Sequence, residues 1–259
     1  CNYNLLLFVL LLFIGCKKTD EVTISNNFSE NNVDEFDYLP TSTTKTIIRH
    51  KYYSLSYKEN AEQAEWVSYR LSKADCLKSN NYKRPYFISD PLVTTKSADY
   101  RNYKKSGYDK GHLCPAGDRN FSKDAFDETF YTSNISPQKH DFNSGIWNIL
   151  EQKVRYWAIK YESIYVVTGG ILNTKLQTIG SEKVAVPKEF YKVLYCKTGT
   201  KHRMIAFILP AENSKKALYE FVVSVDELEK KTGIDFFPKL EDKIETVLEK
   251  NSDYKDWSF

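Results

Sequence analysis

The chain has 259 residues, enough for one large domain or two small ones, and 41% hydrophobic with 27% charged residues excludes a disordered or collagen-like polymer. A formal net charge of +3 is too small to argue by itself for a polyanionic partner. None of the five cysteines, Cys1, Cys16, Cys76, Cys114 and Cys196, forms a CxxC pair, which speaks against a zinc or thioredoxin-type site.

In chain order, residues 5–14 (LLLFVLLLFI) form an apolar run of signal-peptide length, short for a membrane-spanning helix. It ends in Gly15-Cys16, which resembles the lipobox of bacterial lipoproteins, with Phe13 where that pattern usually has Leu. The expectation is a signal peptide over 1–16, lipidation at Cys16 and a flexible polar tether over 17–45, with a plain secretory peptide or a short membrane anchor as the alternative. That places the protein at the bacterial cell envelope, lipid-anchored on the periplasmic or outer surface, or secreted. If the first two cysteines belong to this segment, the remaining three allow one disulfide or none.

Residues 47–57 are β-rich, 65–71 alternate as a strand, and 80–91 read as a loop. Glycines and Pro115 break up 100–120, after which 121–130 has the pattern of a short helix and 134–141 that of a loop. Apolar residues at helical spacing, Ile146, Ile149, Leu150, Val154, Trp157 and Ala158, predict a helix over 144–161. Residues 164–169 read as a buried strand, 183–195 as two strands around Pro187, and 203–209 as another. A helix over 222–233 would be capped by Ser224 and stopped by Gly233. The fold class is therefore α+β: one domain, a central antiparallel sheet and helices outside it.

Four stretches concentrate polar residues suited to chemistry. Asp109-Lys110-Gly111-His112 offers an imidazole on a tight backbone, a group that takes a proton near neutral pH. The second stretch is residues 134–138, beginning at Asn134. Asn143 supplies a hard amide oxygen of the kind that binds Mg²⁺ or Ca²⁺. Glu151 and Arg155 follow on the long helix, so that Asn143, Trp147, Glu151 and Arg155 recur every four residues along one face. Plain readings stand beside these: Asn143 as a helix N-cap, Glu151 and Arg155 as a surface ion pair, His112 as a structural histidine.

Taken together, YDKGHLCPAGDR (108–119) and TFYTSNISPQKHDFNSGIWNILEQKVR (129–155) resemble the DNA/RNA non-specific endonucleases of the ββα-metal (His-Me finger) group. The hallmarks of that group are D-R-G-H, S-N-I-x-P-Q and N-x-G-x-W-x-x-L-E. KRPYFISDP, YVVTGGI, VAVPKEFYKV and SVDELEKKTGIDFFPKL extend the similarity over roughly residues 47–240, within a domain taken as 46–259.

The resemblance implies a ββα-metal motif in the fold, His112 as general base and Asn143 as the direct ligand of one Mg²⁺, with Mn²⁺ or another divalent cation as substitutes. It implies that Glu151 holds a water on the metal, that Arg84 and Arg155 contact phosphate, and that Asn134 positions His112 or the water network. Lys110 departs from the family, which has Arg there: the charge is kept and the planar fork is lost. Cys114 reads as packing or half of a disulfide. The implied activity is hydrolysis of DNA and RNA to 5′-phosphate ends, with contacts to phosphate and sugar that carry no sequence information. The rivals are a catalytically inactive nucleic-acid-binding lipoprotein, a phosphodiesterase acting on small nucleotides, and a sugar- or peptidoglycan-binding lipoprotein.

Overall fold

Strand-forming residues fill most of the chain's apolar stretches, and they assemble into one large sheet. The computed structural model describes residues 22–25, 38–172 and 175–259, the first four as backbone only. The strands are β1 Val22–Ser25, β2 Thr46–Arg49, β3 Ser54–Lys58, β4 Gln63–Ser72, β5 Asp109–His112, β6 Ile135–Gln138, β7 Ser163–Gly170, β8 Gln177–Ile179, β9 Val184–Val186, β10 Glu189–Thr198, β11 Lys201–Pro210 and β12 Val222–Val223. The helices are α1 Lys73–Leu77, α2 Lys123–Glu128, α3 His140–Phe142, α4 Asn148–Lys160, α5 Val225–Thr232 and α6 Asp242–Glu249. Eight strands form the main sheet in the order β1-β2-β3-β4-β7-β10-β11-β12, antiparallel except where β1 joins β2 at its edge. The pairs β5–β6 and β8–β9 stand apart from it.

Both faces of this sheet are covered, and strand alternation divides the side chains between them. Val67, Val166, Leu194 and Phe207 face one core with Leu150, Val154 and Trp157 of α4. Trp66, Val167, Val193 and Ala206 face the other with Val225 and Leu228 of α5 and Phe236, Phe237 and Leu240 beyond it. Two-sided burial is why residues 164–169 read as an unbroken apolar run rather than an alternating one. The fold is the α+β arrangement expected.

Several local expectations change. The β-rich 47–57 stretch splits into β2 and β3, and 134–141 is not a loop, since Ile135–Gln138 pairs with Asp109–His112. The long helix begins only at Asn148; before it runs a wide π-type turn, Asn143–Trp147, in which Gly145 (φ −97°, ψ −117°) leaves the helical region. A side chain at Gly145 would strike the amide of Asn213, which accepts the Ile146 N–H at 3.1 Å. Ile149, counted on the apolar face, is 51% exposed. Ser224 and Gly233 bound α5 as the sequence predicts: the hydroxyl accepts the Glu227 N–H at 3.1 Å, and Gly233 turns left-handed at φ 73°.

The expected signal peptide and Cys16 lie outside the described residues. The tether expected over 17–45 ends earlier than 45. Trp66 Nε1 donates to the Thr41 carbonyl at 2.9 Å, the Thr43 N–H donates to Glu65 Oε1 at 2.8 Å, and the Tyr38 ring packs on Tyr165 and Tyr195. The backbone of this short polar segment is thus held by side chains of β4, which composition alone does not show. Cys76, Cys114 and Cys196 are all free thiols, so the disulfide option is closed among the described residues. Cys114 is packing: it is fully buried in the core under α4.

Candidate active site

The pair β5–β6 presents His112 at the end of a four-residue strand, opposite Ile135. Gly111 is required by proximity, because a side chain there would collide with the buried Gln138. The imidazole sits half-buried between two rings, 5.4 Å from Phe87 and 5.1 Å from Phe130, the latter edge-on. Its Nε2 is buried and has no hydrogen-bond partner among the described residues. Burial, reinforced by the positive charge of Arg84, pushes its pKa down to about 3, so the ring is neutral at physiological pH.

Asn134, expected to position His112 or the water network, lies behind the cleft. It is wholly buried, and its amide is spent on backbone: Oδ1 accepts Cys114 N–H at 2.8 Å, while Nδ2 donates to the carbonyls of Cys114 at 3.0 Å and Thr129 at 2.9 Å. Its own carbonyl accepts the Leu113 N–H at 2.9 Å. Asn134 therefore clamps the two residues after His112 and does not border the cleft.

Asn143 is not an N-cap. Its backbone is helical (φ −58°, ψ −48°), and its side-chain Nδ2 donates to Asp109 Oδ2 at 3.0 Å. The same carboxylate oxygen meets His140 Nδ1 at 2.9 Å. With its nitrogen tied down, the Asn143 amide leaves Oδ1 without a donor from the described residues. Eight residues further on, Glu151 is half-buried, and burial raises its pKa to about 7 against the opposing pull of the Lys192 and Arg155 charges. Arg155 does not pair with Glu151. Its Nη1 donates to Asp118 Oδ1 at 2.7 Å, and Asp118, itself buried, also accepts the Tyr69 hydroxyl at 2.8 Å. Trp147, expected on the same face, points into the core against Phe142 and Phe190, because the wide turn breaks the four-residue repeat.

These pieces meet in one open cleft of about 650 Å³ lined by His112, Asn143, Glu151, Lys110, Arg84 and Arg155, among others. Lys110 Nζ lies 5.5 Å from the centre of the Phe87 ring, and the Arg84 guanidinium lies 5.7 Å from that of Phe130. The cleft thus combines a neutral base with an orphaned nitrogen, three cationic side chains, and an amide oxygen and a carboxylate of the hard-donor type that suits a divalent cation. These residues fit such a cation.

A strand pair followed by a helix, with the histidine on the first strand and the asparagine at the entry to the helix, is the ββα arrangement. A family model described as DNA/RNA non-specific endonuclease matches residues 36–243. The chain belongs to that family. "Nuclease EXOG, mitochondrial" of Mus musculus is 34% identical over 226 residues, 81% of this chain and 61% of that protein. "Nuclease C1" of Cunninghamella echinulata var. echinulata is 34% identical over 233 residues, 82% of this chain and 91% of that protein. The chain thus spans less than two thirds of the length of its mouse relative. Among solved structures, one of an EndoG/EndoGI complex, described as showing the mechanism of EndoG inhibition, superposes with a TM-score of 0.70 at 30% identity, covering 76% of this chain and 87% of that one.

Three residues that line or support the cleft carry no role in the sequence analysis, His140, Asp118 and Lys192, and Asp109 appears there without the contacts it makes. Asp109 stood inside the DKGH stretch and was legible there. Lys192 had no signal; it is 1% exposed in β10, with Nζ 4.4 Å from the centre of the Trp147 ring and 3.2 Å from Thr168 Oγ1. A lysine in an alternating strand reads as solvent-facing until the layer above it is known.

Proposed function

We propose that the protein is a divalent-cation-dependent, sugar-non-specific endonuclease that hydrolyses phosphodiester bonds of DNA and RNA to 5′-phosphate ends. The observation that carries this reading is the convergence of the neutral His112 imidazole, the free Asn143 amide oxygen and three cationic side chains on one open cleft. His112 takes the proton from the attacking water. Its depressed pKa keeps it unprotonated, and a phosphate drawn in beside Arg84 offsets the charge that helps depress it, so the ring becomes a stronger base once substrate is bound.

Asn143 would hold the cation directly and Glu151 through water, with Mg²⁺ favoured by the hard oxygen donors and Mn²⁺ able to replace it. Bound there, the cation supplies positive charge to the anionic phosphorus centre and its leaving oxygen. Arg84 and Lys110 offset the remaining phosphate charge, and Arg155, fixed by Asp118, presents what is left of its fork to the cleft. With no base-reading element in this arrangement, the nuclease accepts any sequence. We also propose a lipid anchor at Cys16, carried by the Gly15-Cys16 sequence; membrane association that survives Cys16→Ser unchanged would dismiss it.

The test is digestion of plasmid DNA and of total RNA with Mg²⁺ and with EDTA, beside a chromogenic small phosphodiester. Cleavage of both polymers in Mg²⁺ alone, with 5′-phosphate ends, is expected. Hydrolysis of the small ester alone would replace this reading with a nucleotide phosphodiesterase. Retention of nucleic acid without any cleavage would make the protein a binding member of the family.

A further inference from the structure

On the side of the sheet away from α4, five carboxylates converge from three segments: Asp226 and Glu229 of α5, Asp235 in the connection, and Glu245 and Glu249 of α6. Carboxylate oxygens of Asp226, Glu229 and Glu249 all lie within 4.8 Å of one another, and so do those of Asp235, Glu245 and Glu249. None of the five takes part in an ion pair among the described residues, and none borders the catalytic cleft. One backbone donor reaches the group: Phe236 N–H to Glu229 Oε1 at 2.8 Å.

Glu249 makes this more than a solvated acidic surface. It is 8% exposed and is the one buried side chain of α6, and its Oε1 is buried without any hydrogen-bond donor among the described residues. A helix that docks through a carboxylate with no partner needs a compensating charge, because a buried unpaired anion is far from solvent and repelled by its neighbours. That strain is visible in the acids themselves: burial, followed by the charges of the neighbouring carboxylates, pushes Glu249 up to about 8, and burial pushes Glu229 to about 7 against the Phe236 N–H bond that favours its charged form. Two oxygens bound to one calcium at 2.3–2.6 Å stand at most about 5 Å apart, which matches the spacing of each trio. The donors are oxygen alone, with no sulfur or imidazole, which favours calcium over zinc or copper.

We propose that this cluster binds a divalent cation of the calcium class, with Asp226, Glu229 and Glu249 as its protein ligands and Asp235 and Glu245 as adjoining negative charge. The ion would tie α6 to α5. Asp226 and Glu229 stand within the family match, which ends at residue 243, and Glu249 stands past it, so the ion would join a helix inside that match to α6 at its end.

The test is thermal melting and calorimetric calcium titration of the full chain at pH 8.5, where few of these acids keep a proton, in CaCl₂ and in EDTA. Calcium held a hundredfold above its Kd should raise Tm by roughly 5–10 °C. Asn143→Ala, which disables the cleft, should keep that rise and its share of the binding stoichiometry. Glu249→Gln should lose both while melting no lower than the parent in EDTA, since an amide removes repulsion. Asp226→Asn, at a half-buried position, should weaken calcium binding with less disturbance of packing. No rise in the parent, an undiminished rise in Glu249→Gln, or its loss in Asn143→Ala would each overturn the proposal.

Discussion

Glu151 and Glu249 are both carboxylates withdrawn from water on opposite sides of the same sheet, and burial raises the pKa of both. Their surroundings differ in sign. Around Glu151 stand Lys192 and Arg155, with Arg84 and Lys110 across the cleft. The charges that act on Glu249 are those of Glu229, Glu245, Asp235 and Asp226, all acids. A region of mixed sign with a surplus of cations is prepared for an anionic polymer, whereas a region of acids alone is prepared for a cation. The raised pKa is common to both and distinguishes nothing; the charges facing each group do.

The contrast breaks most sharply at His112. His112→Ala should lower the cleavage rate by roughly 10²–10⁴-fold while the protein still folds. The check is plasmid cleavage at saturating Mg²⁺ together with a melting curve, and a fully active variant would remove His112 from the chemistry.

Asp109→Asn sharpens the picture of the cleft as a cation holder. Losing the carboxylate that fixes Asn143 Nδ2 and His140 Nδ1 should raise the Mg²⁺ concentration needed for half-maximal rate by about 10–100-fold, with KM for nucleic acid little changed. Rates measured against Mg²⁺ concentration decide it. If KM moves and the Mg²⁺ requirement does not, Asp109 serves substrate rather than the metal ligand.

A smaller effect is expected at Lys110. Lys110→Ala should lower the rate by up to about fivefold, the worth of one exposed charge contact, and flatten its salt dependence. Lys110→Arg should match or exceed the parent, because the fork adds a second hydrogen bond to phosphate. Identical rates and salt slopes for all three forms would place Lys110 outside the reaction.

The smallest effects concern stability against pH, and they have opposite signs within one cleft. His112 has a lowered pKa, so the stability linked to it is present above 6.5 and is lost as pH falls toward about 3. Glu151 has a raised pKa, so its contribution is present below 4.5 and is lost as pH rises toward about 7. Melting curves of the parent, His112→Ala and Glu151→Gln across pH 4–8 should therefore diverge in opposite directions. Parallel curves would show that neither side chain is withdrawn from water as described.

Elements with a strong period were legible in the sequence: α5 with its cap and stop, the core strands, and the body of α4. The short strand β6 was not, because Ser136, Pro137 and Gln138 are turn-like residues that tertiary packing buries. Of the candidate site, the residues within the family motifs converge on the cleft, with Asn134 behind it as a backbone clamp on the residues after His112. Asp118 and Lys192 were invisible, since their relation to Arg155 and Glu151 depends on contacts 37 residues apart in one case and on a buried strand position in the other. The acidic cluster was equally hidden: charges scattered between 226 and 249 read as a solvated surface until two helices bring them together.

The far end of α4 is closed by the last residues of the chain. Trp157 Nε1 donates to the Ser258 carbonyl at 3.0 Å, and the Trp257 and Phe259 rings meet Trp157 edge-on at 5.0 and 5.1 Å. The helix that brings Glu151 and Arg155 to the cleft is thus braced at its opposite end by the Trp257 and Phe259 rings, a buttress that steadies the acid and the arginine without touching either.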